Sequence, residues 1–343
     1  MINKSVILTT GLCASLLAAS ASAAGSLNLY NFADYINPLI LENFQAETGV
    51  EVTLDTYTSN EEMLAKLQAG ATGYDLVFPS VHMHDILYKL DFLEETGINQ
   101  HPLFANIDPT ALRSKSDPTG NYCLPYAWGT VGVFYNQDIT GEIKTWEDFF
   151  NVPARTGAKI AMVDDMREVL GVGLMANGYS VNTTNAAEIK VATDYILARK
   201  DAISAFTYAS PGLIMGGDIA AAQFFVGFTQ GSMTTDNIKY MLPEDGTSLY
   251  QEDICMLKSA PNKDNAKAFM EFMLIPENAA LNVELLYNGS PNMAALEFIP
   301  DNIKNDPSIT VPAGKLSQLH IFEDVGKALK LYDRAWNTIK ASN

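Results

Sequence analysis

The chain has 343 residues, 48% hydrophobic, 18% charged and 10% aromatic; that supplies a large core and roughly two lobes, and it excludes a disordered chain. Its 40 acidic residues against 22 basic ones give a formal net charge of −18, a surface that repels nucleic acid and anionic lipid and attracts cations. Acidity also keeps a protein soluble, so charge by itself names no ligand.

In chain order, Lys4 opens a short basic start, an apolar run extends from Val6 through Leu17, and Ala21-Ser22-Ala23 has the form of a cleavage site. Residues 1–23 therefore read as a secretory signal peptide, which places the mature chain in the periplasm. The run is short for a membrane span. Leu12, directly before Cys13, is too bulky for a good lipid-attachment box. Cys123 and Cys255 remain after cleavage; the periplasm permits a disulfide, but their spacing does not decide whether they pair.

Strands and helices then alternate, the signature of an α/β fold with covered sheets. Leu27, Leu29 and Tyr30 mark a first strand; Asn37 and Pro38 open a helix that Gly49 closes. Val50, Val52 and Leu54 alternate in a second strand. Ser59 with Glu62 forms a capping box for a helix carrying Met63, Leu64 and Leu67. Leu76 to Phe78 is a short buried strand stopped by Pro79 and Ser80. Thr130 to Tyr135 is a strand, Thr145 caps a helix with Trp146 and Phe149, and Ile160 to Val163 is a strand followed by Asp164 and Asp165. A helix carries Val169, Leu170 and Leu174. Strands follow at Ile219–Val226 and Asp253–Leu257, helices at Asn265–Leu274 and from Pro276 through Leu286, and a last helix from about Glu323 to Ile339. No low-complexity linker separates the lobes, so strands must cross between them.

In open α/β sheets ligands sit beyond the carboxyl ends of the strands. Those ends carry Asn31-Phe32-Ala33-Asp34-Tyr35, then Ser80-Val81-His82, then Asp164-Asp165 with Glu168, then Phe225 and Val226. The side chains are aromatic and acidic, with Arg167 the exception. That mixture suits an organic ammonium: carboxylates form charge-assisted hydrogen bonds to each –NH3+, and aromatic faces add cation–π attraction of ~0.5–2 kcal/mol each. Taken singly, Asp165 is equally a helix cap and the aromatics are core.

Several segments resemble the polyamine-binding proteins of ABC transporters, the spermidine- and putrescine-binding family: YNFADYINPLILENFQAETG (30–49), TYTSNEEMLAKLQAGATGYDLVFPS (56–80), LPYAWGTVGV (124–133), DDMREV (164–169), LGVGLMANGYSVNTTN (170–185) and SPNMAA (290–295). The resemblance implies a two-lobed periplasmic-binding-protein fold of type II topology with two crossover strands at the hinge. Lobe 1 would hold 24–132 plus 252–297, and lobe 2 133–251 plus 298–343. It implies a monomer that captures a small polyamine-like cation in the interlobe cleft and delivers it to an ABC permease, with no cofactor, no metal and no nucleic-acid partner.

Carried over by position, the resemblance places Asp34, Tyr35, Ser80, Asp165, Glu168 and Asp253 at the ligand, with Asp253 gripping one ammonium. It also marks departures. Phe32 and Phe225 stand where the family has Trp, His82 where it has Tyr, Gln251 where it has another Trp, and Phe322 where it has Gln. Phe is a weaker cation–π partner than Trp and lacks the indole donor, so the length or substitution of the amine would differ. His82 could add pH dependence or serve as a plain aromatic surface. Two other readings stay open: a sensor feeding a membrane signalling protein, and an enzyme using Cys123 as nucleophile. The chain has no G-x-S-x-G elbow, and its four His lack metal-site spacing.

Overall fold

The computed structural model describes residues 25–227, 236–306, 309 and 318–342; the expected signal peptide lies outside the described residues. Ten strands are described: β1 (Ser26–Phe32), β2 (Glu51–Tyr57), β3 (Leu76–Val77), β4 (Cys123–Asn136), β5 (Ile160–Met162), β6 (Ile203–Phe206), β7 (Ala221–Phe225), β8 (Ile238–Met241), β9 (Thr247–Met256) and β10 (Leu319–Ile321). Their order is β2-β1-β3-β9-β4-β7-β5-β6, with β8 on β4 and β10 on β9. β1 pairs in parallel with β2 and β3, and β5 with β6 and β7, while β4 and β9 run antiparallel to each other.

Each half has its own core. One gathers Leu27, Leu29, Ile40, Phe44, Ile254 and Phe269; the other gathers Trp146, Phe149, Ile160, Val169, Leu170 and Tyr332. Two separate cores make two lobes. β4 and β9 belong to both. β4 pairs with β9 from Cys123 to Thr130, then with β7 from Val131 to Tyr135. β9 pairs with β3 at Cys255 and Met256, and with β10 from Thr247 to Leu249. These two strands are the crossovers expected at the hinge. Cys123 and Cys255 are cross-strand neighbours. Their Cα atoms are 4.5 Å apart, and they are joined as a disulfide across 132 residues of sequence.

The helix ends follow local chemistry. Asn37 accepts from the amide of Leu39, Ser59 from Glu62, and Thr145 from Asp148. Only half of the expected capping box at Ser59 forms, because the Glu62 carboxyl accepts from Thr58 instead. The last helix spans Leu329–Ala341 and not Glu323 onward. Gly326 is left-handed with φ 55°, and the Asp324 side chain takes its amide at 2.7 Å, so the chain turns before the helix begins. No described helix is long and apolar enough to cross a membrane.

Candidate functional site

The site is built on one face of the crossover sheet. Side chains alternate along a strand, so Ser248, Tyr250 and Glu252 of β9 share a face. In register, Gly129 lies opposite Tyr250, Val131 opposite Phe225, and Val133 opposite Gln223, which puts Phe225 and Gln223 of β7 on that same face. The Phe225 and Tyr250 rings meet edge to face at 5.3 Å. Glycine is required at 129, where a Cβ would fall 2.3 Å from the Tyr250 hydroxyl.

Each end of this face holds a buried carboxyl. At one end, Glu252 Oε2 accepts from the Tyr35 hydroxyl at 2.7 Å and Oε1 from Ser80 Oγ at 3.2 Å. Ser80 opens the helix Val81–Lys89 without capping it through its side chain, which leaves its hydroxyl for Glu252. Phe32 closes this end, with its ring 5.9 Å from Tyr35 and 4.4 Å from Tyr57. At the other end, Glu168 is bonded by Ser248 Oγ. Asp165 caps the helix Met166–Ala176, its Oδ1 accepting from the amides of Arg167 and Glu168 at 2.8 and 3.0 Å.

The electrostatics of the two ends match. Burial pushes the Glu252 carboxyl up to about 8, against the downward pull of Tyr35 and Ser80. Burial, then the charge of Asp165, pushes Glu168 up to about 8. Burial also raises Asp165, although its cap bonds oppose the shift. Tyr250 feels both ends: burial raises its hydroxyl most, then Glu252, with Glu168 adding in the same direction. Among the described residues neither Glu168 nor Glu252 takes part in an ion pair. Two amides reach these ends through their nitrogens, Gln223 to the main-chain carbonyl of Glu168 and Asn288 to the Tyr35 hydroxyl, and their oxygens, Gln223 Oε1 and Asn288 Oδ1, are buried without a partner. Such an arrangement accepts hydrogen bonds and positive charge; it has little to donate.

Phe32, Tyr35, Ser80, Asp165, Glu168 and Phe225 are thus brought to this face. Others expected here are placed elsewhere. Gln251 and Asp253 have the opposite parity on β9 and point behind the site. Asp253 Oδ2 meets His84 Nδ1 at 2.8 Å and its Oδ1 accepts from Gln251 Nε2 at 2.9 Å; Gln251 also donates to the carbonyl of Ala111 at 2.8 Å and accepts from Arg113. The carboxylate beside Tyr35 and Ser80 is Glu252, and the aromatic beside Phe225 is Tyr250; neither was singled out from sequence. Asp34 is exposed, in a left-handed turn with φ 53°. Phe322 is covered by the Arg167 guanidinium at 4.7 Å. His82 lines a small cavity with Glu61, Arg167 and Asp324, and burial, then the Arg167 charge, pushes its imidazole down to about 3. It is neutral at physiological pH, an aromatic surface and not a switch there. His84 also approaches Cys123 and Cys255, whose sulfurs are tied up in the disulfide.

Arg167 is buried and structural. It donates to the carbonyls of Glu323 and Val181, each at 3.2 Å, and to Asn182 Oδ1 at 2.9 Å, between the rings of Phe322 and Tyr332. Asn182 in turn binds the carbonyl of Ile321 and the amide of Glu323. The DDMREV and GYSVNTT segments are therefore two halves of one clamp on residues 321–323. That clamp presents Glu323 and Asp324 to Lys115 and Lys89 of the other lobe, at 2.6 and 2.7 Å. These pairs are solvent-exposed and worth at most ~1 kcal/mol each. Lysine cannot reproduce the fork of Arg167. Arg167→Lys is expected to lower unfolding stability by ~2 kcal/mol, the scale of buried hydrogen bonds to a charged group. Urea denaturation measures it, and an unchanged midpoint rules the clamp out.

The family model for bacterial extracellular solute-binding proteins matches residues 40–311. The spermidine/putrescine-binding periplasmic protein of Salmonella typhimurium is 30% identical over 99% of this chain and 98% of its own. A putrescine/cadaverine-binding protein of Pseudomonas aeruginosa is 29% identical over 94% of this chain and 96% of its own. Among solved structures, one described as a putative spermidine/putrescine ABC transporter from Listeria monocytogenes superposes with a TM-score of 0.85 at 31% identity, covering 92% of this chain and 99% of that one. The two-lobed fold agrees with these matches, and the chain belongs to the bacterial extracellular solute-binding protein family.

Proposed function

We propose that this chain is a periplasmic protein, freed of its signal peptide, that closes its lobes on a linear polyamine and delivers it to an ABC permease. The observation that carries the reading is the pair of buried carboxyls, Glu168 and Glu252, at opposite ends of one aromatic-walled face. Neither is neutralised by an ion pair among the described residues. From Ser248 to Glu252 the strand rises about 13 Å, a separation that suits a molecule cationic at both ends. Phe32, Tyr35, Phe225 and Tyr250 would cover its methylene stem. Burying charge there is tolerable when each ammonium meets a carboxylate. The names of the relatives point to the same ligand class.

The lobes of this reading divide at 132/133 on β4 and 251/252 on β9, close to where β4 changes partner from β9 to β7 at 130/131. Ile299, Ile303 and Ile309 cluster with Ala279, Ala280 and Val283 of the helix Pro276–Leu286 and also with Val226, beside the boundary at 297. The reading is of binding by a monomer without cofactor or nucleic acid, not of turnover. Cys123, the candidate nucleophile, is buried and disulfide-bonded, and a disulfide sulfur is no thiolate. Calorimetric titration with putrescine, cadaverine, spermidine and norspermidine tests the proposal. Saturable 1:1 binding of at least one is expected; binding of none, or binding of an anion instead, would overturn it.

A further inference from the structure

Resting on the polyamine reading, we propose that Gln223 is a specificity-determining residue: its Oε1 is the second acceptor at the Glu168 end, and it makes that end select a primary ammonium over an N-alkylated one. Gln223 is 1% exposed and lies on β7 two residues before Phe225, on the face that carries Tyr250 and Ser248. Its Nε2 donates to the main-chain carbonyl of Glu168 at 3.4 Å. That bond fixes which end of the amide is which, because a carbonyl can only face the NH2. The Oε1 is left buried with no partner, at the end of the face where the Glu168 carboxyl is held by the Ser248 hydroxyl.

A buried unpaired acceptor destabilises the protein that carries it, so its place at this end calls for a ligand-borne donor. A primary ammonium has three N–H donors. The Glu168 carboxylate takes one and Gln223 Oε1 a second. The Asp165 carboxylate takes the third through its Oδ2, since both cap bonds fall on Oδ1. A dimethylated ammonium keeps one N–H and leaves two of these acceptors unpaired. Discrimination by buried polar groups left unpaired is larger than discrimination by a methylene.

The test uses the full mature protein, with putrescine and its N,N,N′,N′-tetramethyl derivative as probes. Wild type is expected to bind putrescine at least tenfold more tightly. Gln223→Met keeps length and volume without the amide. It is expected to weaken putrescine at least tenfold, to change the tetramethyl derivative by less than threefold, and to leave the ligand-free melting temperature unchanged or higher. A purely structural Gln223 would lower that temperature. Equal affinity of wild type for the two probes overturns the inference even if the variant cannot be made, as does Gln223→Met with wild-type putrescine affinity. If wild type binds neither probe nor any other polyamine, it is the polyamine reading that fails.

Discussion

Glu252→Gln is expected to weaken polyamine binding on the order of 100-fold while the free protein melts as before. At neutral pH the buried Glu252 carboxyl, pushed up to about 8, is largely protonated in the empty site, and glutamine copies its shape. With ligand present the carboxylate faces an ammonium in a dry site, and truncating one partner of such a pair costs ~2–5 kcal/mol, or one tenfold step per 1.4 kcal/mol. The neighbouring Asp253→Asn should do the reverse. Asp253 holds His84 and Gln251 behind the strand, so an amide NH2 turned toward either donor lowers stability by ~2–3 kcal/mol and leaves affinity within about threefold. Calorimetry and urea denaturation on both variants separate the two. If Asp253→Asn loses the affinity and Glu252→Gln does not, the parity assigned to β9 is wrong.

Affinity is expected to rise with pH from 6 to 8, by at least tenfold, and then level off. Burial pushes Glu168 and Glu252 up to about 8 in the empty protein, from ~4.3 when unfolded. Between those values the native state holds more protons than the unfolded one, so ligand-free stability falls as pH rises. This contribution is fully present below ~4.3 and lost as pH passes about 8. A dication binds the ionised acids and must displace their protons, while its own ammonium groups stay charged well above pH 8. Binding therefore releases protons, and the bound protein loses the pH slope of the free one. His82, pushed down to about 3, adds nothing in this window. Titration at pH 6, 7 and 8 in two buffers of different ionisation heat reads both effects. A flat affinity with no proton release would show that the acids are ionised before the ligand arrives.

Much of the fold was legible because it is locally encoded. Asn37, Ser59, Thr145 and Asp165 cap the helices their positions predict, and the strands carrying Leu27, Val52 and Leu76 form where apolar residues recur. The helix Val81–Lys89 was not legible: His84 and Asp85 sit on its buried face and interrupt the apolar period. β9 misled for a related reason. It is buried on both faces along nearly all of its length, so no apolar–polar alternation sets its parity. The run Tyr250-Gln251-Glu252-Asp253 offers an acid to either face. Asp253 turns to His84 and Gln251, whereas the register of β4 against β9 puts Glu252 on the face of Tyr250. Gln223 gave no signal, since a lone glutamine in an apolar strand has meaning only once Glu168 is folded against it.

The bond between Cys123 and Cys255 closes a covalent ring around the whole first excursion of the chain into the second lobe. A protease that nicks any one peptide bond between those cysteines opens the ring without parting the molecule. The nicked protein would run as one species on a gel without reductant and as two with it. A cut between the two cysteines thus leaves the chain in one covalent piece until the disulfide is reduced.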